Sequence, residues 1–336
     1  MDSSSTDAAR VEVLMVDAAK HSVIALAVAH CIEEIPAARL HVLTDRRWGP
    51  LVWSTLRETL TVADLATDAA WLQAVEEAVE AHDIDVILAV SEPGAQFVAA
   101  HRAQLEELAR VAPVASPDQI ALAINKGRVT AFAAEHGMLV PRTVDVTAAG
   151  LADGSLAAAL DQLTMPVLLK PTSMSGGKGI QQFSTVAELI EHVSALPAIE
   201  PDALIVQEIV EGTDICCAVL CAPGGEVVAH STFQGLTDVE GRFSPWAHMQ
   251  FSEDFEALAR VQELTRLLAW EGPANIDFIR RADGEHVLLE FNGRYDGETQ
   301  GSLMAGVNFA KLHIDLAYGR PVSQPPYRSG PHMSLR

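Results

Sequence analysis

Polar and apolar positions along the chain follow two alternating rhythms. Residues 11–16 (Val-Glu-Val-Leu-Met-Val) are a short apolar run, and residues 22–35 carry apolar positions at helical spacing up to Pro36. Residues 40–43 return to the strand rhythm. Residues 71–82 repeat the helical one, with Leu72, Val75, Ala78 and Val79 on one stripe, and residues 84–90 are again strand-like. Strands alternating with helices predict a parallel sheet covered on both faces. A dinucleotide-binding domain shares this pattern, but the glycine-rich turn after its first strand is missing: the first glycine of the chain is Gly49.

From Ser116 the rhythm changes. Ser116-Pro117-Asp118 predicts a helix start carrying Ile120, Leu122, Ile124 and Lys126, and a second helix follows Gly127 as far as His136. Residues 138–143 read as extended, 151–163 as one helix, and 166–171 as a strand with Lys170 near its end. The next stretch, Thr-Ser-Met-Ser-Gly-Gly-Lys-Gly, is a glycine-serine loop of the kind that offers backbone N–H groups to phosphate oxygens. It is not a Walker A loop, because Lys178 is followed by Gly179. Residues 186–196 read as a helix, and 204–214 as a strand running into a turn at Gly212. Strands are expected at 215–221 and 227–232, an irregular stretch at 233–251, a helix at 253–270 and a mostly helical stretch at 301–318. The tail from 321 is rich in Pro, Ser and Gly and is expected to be loose.

Between those last two helices, two runs of β-type residues flank Asp283-Gly284, a strong turn dipeptide. A two-residue turn there places Ala282 opposite Glu285, Asp277 opposite Glu290 and Asn275 opposite Asn292. Side chains alternate across a strand, so these polar groups share one face. Ile276, Phe278, Val287, Leu289 and Phe291 share the other, the core face. Opposed carboxylates stand about 5 Å apart at Cβ and repel one another. A divalent cation between them removes the repulsion, and carboxylates plus an amide oxygen suit Mg²⁺. A solvated acidic face on an edge hairpin is the plainer reading of the pair taken alone.

Net charge sharpens the picture. With 23 basic and 45 acidic residues among 336, the chain carries −22, which argues against a nucleic-acid or anionic-membrane surface. The composition, 49% hydrophobic and 20% charged, is that of a globular protein. No apolar run reaches membrane-spanning length, and the acidic start does not read as a secretory signal, so a cytoplasmic location is expected. The four cysteines lack zinc-site spacing and read as buried thiols, with Cys217, Val219 and Cys221 on one strand face.

The order of these pieces resembles the ATP-grasp superfamily, in particular its carboxylate–amine ligase branch. The resemblance spans residues 10–320 and rests on several features together. These are a lysine early in the central region, Lys170-Pro171 before a glycine loop, Gln-Glu-x-x-Glu-Gly-x-Asp at 207–214, and Asp277 thirteen positions before Glu290-x-Asn292. It implies an α/β chain, α+β in its C-terminal part: a Rossmann-like parallel-sheet domain at 10–116, a small subdomain at 117–202 with a lid at 171–180, a subdomain at 203–320 holding the metal hairpin, and the tail 321–336. It also implies roles. Lys126 and Lys170 contact the α- and β-phosphates of ATP, and the loop with Ser175, Gly176 and Gly177 closes over the triphosphate, with Lys178 at the γ-phosphate. Gln207, Glu208 and Val210 frame adenine, and Asp214 holds the ribose. Asp277, Glu290 and Asn292 hold Mg²⁺, with Mn²⁺ as a substitute, and Arg294 serves the reacting centre.

The implied reaction joins a small carboxylic acid to an amine through an acyl-phosphate, with release of ADP. A carboxylase working through carboxyphosphate and a non-catalytic nucleotide-binding module are the alternatives, and a homodimer is compatible with either. The chain departs from the family pattern where Gly293 replaces the usual proline and where Tyr-Asp-Gly-Glu-Thr-Gln-Gly follows Arg294. Residues 233–251 and 295–299 are, by position, the candidates for substrate choice.

Overall fold

The computed structural model describes residues 10–17, 23–45, 47–174, 176–238 and 246–334. The first part comprises β1 (Val11–Asp17), α1 (Val23–Glu33), β2 (Ala38–Thr44), α2 (Pro50–Trp53), β3 (Thr59–Val62) and α3 (Asp68–His82). It continues with β4 (Val86–Ala89), α4 (Glu92–Ala100), α5 (Arg102–Glu106) and β5 (Arg110–Val111). The five strands form a parallel sheet in the order β3-β2-β1-β4-β5. Val13 and Met15 face one core with Val28 and Ile32 of α1, while Leu14 and Val16 face the other with Trp71 and Val75 of α3. Burial on both faces is why β1 reads as an unbroken apolar run. Strands β3 and β5, of four and two residues, were not expected from the sequence. The strand order reverses between β1 and β4, so the crevice beyond their carboxyl ends opens at Asp17 and Ser91, where α4 begins.

The middle of the chain comprises α6 (Pro117–Ala123), α7 (Lys126–Glu135), β6 (Thr143–Asp145), α8 (Ala148–Asp153), α9 (Ser155–Leu160), β7 (Val167–Pro171), β8 (Gln181–Phe183), α10 (Val186–Ser194) and β9 (Leu204–Glu208). A capping box between Ser116 and Gln119 starts α6. Lys126 does not end that helix, as the sequence suggests, but opens the next one after the cap Asn125. The helix expected over 151–163 is two helices, broken at Gly154 in the left-handed region. The strands pair antiparallel in the order β6-β9-β7-β8 over their own small core of Val167, Leu169, Leu189, Val193 and Val206.

The last part comprises β10 (Thr213–Ala222), β11 (Glu226–Asp238), β12 (Trp246–Ser252), α11 (Phe255–Leu267), β13 (Gly272–Arg280), β14 (His286–Asn292), α12 (Thr299–Met304), α13 (Phe309–Ala317) and β15 (His332–Ser334). Six antiparallel strands run β14-β13-β10-β11-β12-β15. Two expectations change here. Much of the stretch read as irregular over 233–251 is strand, β11 running on to Asp238 and β12 returning from Trp246; Arg242 lies outside the described residues. The tail read as loose is docked: β15 pairs with β12, Tyr327 donates to the Thr232 carbonyl at 2.6 Å, and Gly330 N–H donates to the Phe251 carbonyl at 2.8 Å. Proline and glycine hide such pairing from composition. All four cysteines are buried free thiols, and Cys217, Val219 and Cys221 share one core as expected.

Candidate active site

Asn275 pairs with Asn292 and Asp277 with Glu290. The turn that produces this register is not the expected one. Arg281 N–H donates to the Glu285 carbonyl, leaving a three-residue loop whose third residue, Gly284, takes φ 89°. Near the turn Ile279 therefore faces Val287 and Phe278 faces Leu288, one step off the two-residue register. The register shifts back between Asp277 and Phe278, where Leu289 is the extra residue. At the bulge Leu288 N–H leaves the ladder and donates to the Leu139 carbonyl at 2.9 Å. Two deviations cancel, and the carboxylates end up opposed. The bulge also exchanges two leucines: Leu288 enters the core, and Leu289, expected there, lines a cleft instead.

Around the pair the charges are tightly coupled. Although Asp277 keeps some accessible surface, burial pushes it up to about 7; Glu290 and Asp296 add to the rise, while Cys216 and Arg294 offset part of it. The Asn292 amide donates to Asp277 Oδ2 at 3.2 Å. Lys126, 8% exposed, places Nζ 2.9 Å from Glu290 Oε1 and also donates to the Met174 carbonyl. Burial lowers Lys170 to about 8, with Glu290 resisting and Lys126 adding to the fall. Arg294 donates to the Tyr295 carbonyl at 2.8 Å and to Asn292 Oδ1 at 3.3 Å, and its Nε lies 3.9 Å from Glu92 Oε1. Glu92 stands in the first turn of α4, so the hairpin reaches the crevice of the parallel sheet.

Leu289, Lys170, Gln207, Val210 and Asp214 line a cleft of about 250 Å³, the place expected for adenine and ribose. Gln207 is buried and its oxygen accepts from Lys170 Nζ at 2.6 Å, while its amide donates to Thr143 Oγ1 at 3.1 Å. Its side chain thus positions a lysine, a task the sequence did not assign to it. Glu208 Oε1 accepts from Thr164 N–H at 2.7 Å. The glycine loop starts from a fixed point: Thr172 Oγ1 donates to the Asp202 carbonyl, and the Thr172 carbonyl accepts from Lys126 N–H. Gly176, Gly177 and Gly179 all adopt left-handed φ of 66–75°, which is why the loop needs glycine. Lys178 is exposed within it, and Ser175 lies outside the described residues.

The family model described as ATP-grasp in the biosynthetic pathway with Ter operon matches residues 200–334. The carbamoyl phosphate synthase large chain of Thermoanaerobacter sp. (strain X514) is 24% identical over 179 residues, which cover 50% of this chain and 16% of that protein. The L-amino acid ligase from Bacillus licheniformis shares the fold with a TM-score of 0.67 at 17% identity, over 92% of this chain and 74% of that one. The biotin carboxylase domain of Hydrogenobacter thermophilus 2-oxoglutarate carboxylase, solved with MgADP and bicarbonate, gives a TM-score of 0.69 at 17% identity, over 96% and 73%. Residues 200–334 thus resemble the ATP-grasp family, and the chain as a whole shares the fold of these two solved structures.

The donor set suits Mg²⁺, a cation that takes one or two carboxylates and shares its remaining positions with phosphates and water. Among the described residues no group of three or more His, Cys, Asp or Glu side chains is arranged to hold a metal alone, so Asn292 and phosphate oxygens would complete the set. The packing explains a departure from the pattern that the sequence resembles. A Cβ at Gly293 would sit 2.6 Å from Cη2 of the buried Trp270, so the family's proline has no room. Sequence reasoning missed Glu92, and it reached Asp296 only by position, within the stretch 295–299. Glu92 left one signal, a carboxylate opening a helix after a parallel strand, but its approach to Arg294 is a tertiary contact that no local pattern encodes.

Proposed function

We propose that this chain is an ADP-forming ATP-grasp ligase that joins a small carboxylic acid to an amine through an acyl-phosphate. One observation carries the reading: the opposed pair Asp277 and Glu290 has three cations about it, Lys126 at 2.9 Å from Glu290, Lys170 within electrostatic reach of Glu290 and Arg294 within reach of Asp277. That arrangement suits transfer of a terminal phosphoryl group, where the protein contributes mainly position and charge.

Lys126 is held by Glu290 and the Met174 carbonyl, both oxygen acceptors that phosphate oxygens can replace. Lys170, aimed by Gln207, is lowered by burial to about 8, and an arriving triphosphate favours its charged form. The cleft beside Leu289, Val210 and Asp214 takes adenine and ribose, which leaves the γ-phosphate facing Arg294. Mg²⁺ or Mn²⁺, held by Asp277, Glu290 and Asn292, would neutralise phosphoryl charge. Arg294 then stabilises the oxygens of the transferring group and of the tetrahedral acyl adduct. The loop of Gly176, Gly177, Lys178 and Gly179 closes over the phosphates and excludes water from the acyl-phosphate. No helix among the described residues is long and apolar enough to cross a membrane; with the charge of −22 this agrees with small-molecule partners in the cytoplasm.

The test is an ADP-release screen of amino acids and small carboxylates, singly and in pairs with amines, at saturating ATP and Mg²⁺. ADP and phosphate formed only when an acid and an amine are both present is the expected result. Release driven by bicarbonate with no other acid would move the reading to a carboxylase. Tight ATP binding with no turnover on any acid would make the chain a non-catalytic nucleotide-binding module.

A further inference from the structure

The loop after Arg294 contains a buried carboxyl group with one oxygen left unpaired. Asp296 is 4% exposed, and its Oδ2 has no hydrogen-bond partner. Its main chain does the structural work: the Asp296 carbonyl accepts from Thr299 N–H at 3.3 Å and Thr299 Oγ1 at 2.6 Å. On one side Tyr295 donates to His313 Nδ1 at 2.8 Å, and His313 Nε2 donates to the Pro113 carbonyl at 2.7 Å. On the other, the Thr299 carbonyl accepts from the Cys31 thiol at 3.8 Å. These bonds hold the loop whatever acceptor stands at 296. Glu298 occupies the position before α12 but makes no cap bond there; it shares a hydrogen bond with Asp296 instead. Burial, with Glu298 alongside, raises Asp296 well above the usual carboxylate range.

A buried carboxyl oxygen without a donor is costly, so its retention asks for a ligand that brings one. The place is the reacting side of the site, because Asp296 lies within electrostatic reach of Asp277, Arg294 and Cys216. An anion is repelled by the pair, and a neutral hydroxyl leaves the charge unrelieved. On the proposed reading the divalent cation already has its place at Asp277, Glu290 and Asn292. An ammonium group brings both positive charge and three N–H donors.

We propose that Asp296 and Glu298 form the subsite for the ammonium group of the acceptor amine. This deepens the ligase reading and rests on it. It sorts the two substrates by charge, the carboxylate to Arg294 and the ammonium to Asp296 and Glu298. In the second half-reaction the ammonium gives one proton to the carboxyl pair, and its lone pair forms the C–N bond at the acyl carbon. The C–O bond to phosphorus-bound oxygen breaks, its electrons leave with phosphate, and the second surplus nitrogen proton goes to that phosphate.

The test uses calorimetric titration of the full chain with Mg²⁺ and a β,γ-imido ATP analogue. The probes are the twenty common amino acids as free acids, as methyl esters and as N-acetyl derivatives, together with ammonium and methylammonium chloride. We expect an ammonium-bearing probe to bind, N-acetylation to abolish binding of the same ligand as its methyl ester, and Asp296→Asn and Glu298→Gln each to weaken the ester about tenfold or more. Because Oδ2 has no partner to lose, Asp296→Asn should melt no lower than wild type; should it fail to fold, Glu298→Gln carries the test. Failure of every ammonium-bearing probe to bind, ester affinity indifferent to Glu298→Gln, or binding that survives loss of the ammonium, overturns the subsite. ADP release with an indifferent ester leaves the ligase reading standing and removes the subsite. A Glu298-dependent ester with no ADP from any pair does the reverse.

Discussion

Lys126 Nζ lies 2.9 Å from Glu290 Oε1, so a lysine opening α7 pairs with a carboxylate on β14 that would also hold the metal. On the proposed reading, substrate binding exchanges this ion pair for a lysine–phosphate and a carboxylate–metal contact. Glu290→Gln removes the ligand charge with little change in volume. Ligation should fall about 10²-fold or more, the scale of losing one preorganised charged contact, with an unchanged circular dichroism spectrum. Comparable turnover in variant and wild type at saturating Mg²⁺ would sink the metal assignment.

The same pair has a signature in stability. Burial and Glu290 push Asp277 up to about 7, whereas in the unfolded chain it titrates near 3.9. Folding therefore takes up a proton between those values. This contribution is complete below the unfolded value and is lost as pH rises through about 7. Asparagine at 277 has no such dependence. In chelator-treated protein, Asp277→Asn should melt above wild type at pH 8, and the gap should close towards pH 4. A gap independent of pH in scanning calorimetry would show that Asp277 is not strained by its charge.

How much the sequence revealed depended on how local the cause was. Strand β1 was legible because both of its faces are buried, and α10 because its apolar stripe is regular. Strands β3 and β5 were too short to show a period, and β15 forms by pairing with β12 rather than by its own propensity. The Asp277/Glu290 pair was legible through compensation: the longer turn at Gly284 and the bulge at Leu289 cancel at that register. Because the bulge is tied to the Leu139 carbonyl, a distant segment, the exchange of Leu288 for Leu289 could not be seen from the hairpin alone. The approach of Arg294 to Glu92 is tertiary in the same way.

Gly293 tests the packing behind the ligands. Any Cβ there meets the Trp270 ring, at 2.6 Å from Cη2. Gly293→Pro, which restores the residue usual in the family, should therefore destabilise this chain by about 1–3 kcal/mol, the range for overpacking a core. Adding Trp270→Leu should recover part of the loss beyond the cost of Trp270→Leu alone. Additive melting shifts in the double-mutant cycle would mean that the two positions do not collide.

The glycine loop makes a separable prediction. At Gly179 the φ is 75°, and a Cβ would lie 2.8 Å from Pro171 Cγ. Gly179→Ala should raise the KM for ATP about tenfold while shifting the melting temperature by only a few degrees, because the strain is confined to an exposed loop. Amides of Gly176, Gly177 and Gly179 should exchange more slowly once ATP and Mg²⁺ are bound. Exchange already slow in the free chain, and unchanged by nucleotide, would make the loop a fixed turn instead of a lid.

Arg294 decides between two routes of ATP cleavage. Lys126 and Lys170 hold the inner phosphates on the proposed reading, so the γ-phosphate is the group left beside Arg294, and cleavage must give ADP and phosphate. The guanidinium is fixed by the Tyr295 carbonyl, Asn292 Oδ1 and Glu92, and can stabilise oxygen charge without reorganising as it passes from phosphoryl transfer to acyl transfer. With the acid identified, hydroxylamine in place of the amine should trap the acyl-phosphate as a hydroxamate, one per ADP. Arg294→Ala should lower the trapping rate about 10²-fold or more, and Arg294→Lys should restore little, because an ammonium cannot keep the planar fork that reaches Asn292 and the Tyr295 carbonyl together. Glu92→Gln should cost less than Arg294→Ala, since the 3.9 Å contact orients the guanidinium from one side only. Recovery of AMP and pyrophosphate in place of ADP would place the attack at the α-phosphate, and the roles given to Lys126, Lys170 and Arg294 would then have to be reassigned to an adenylating site.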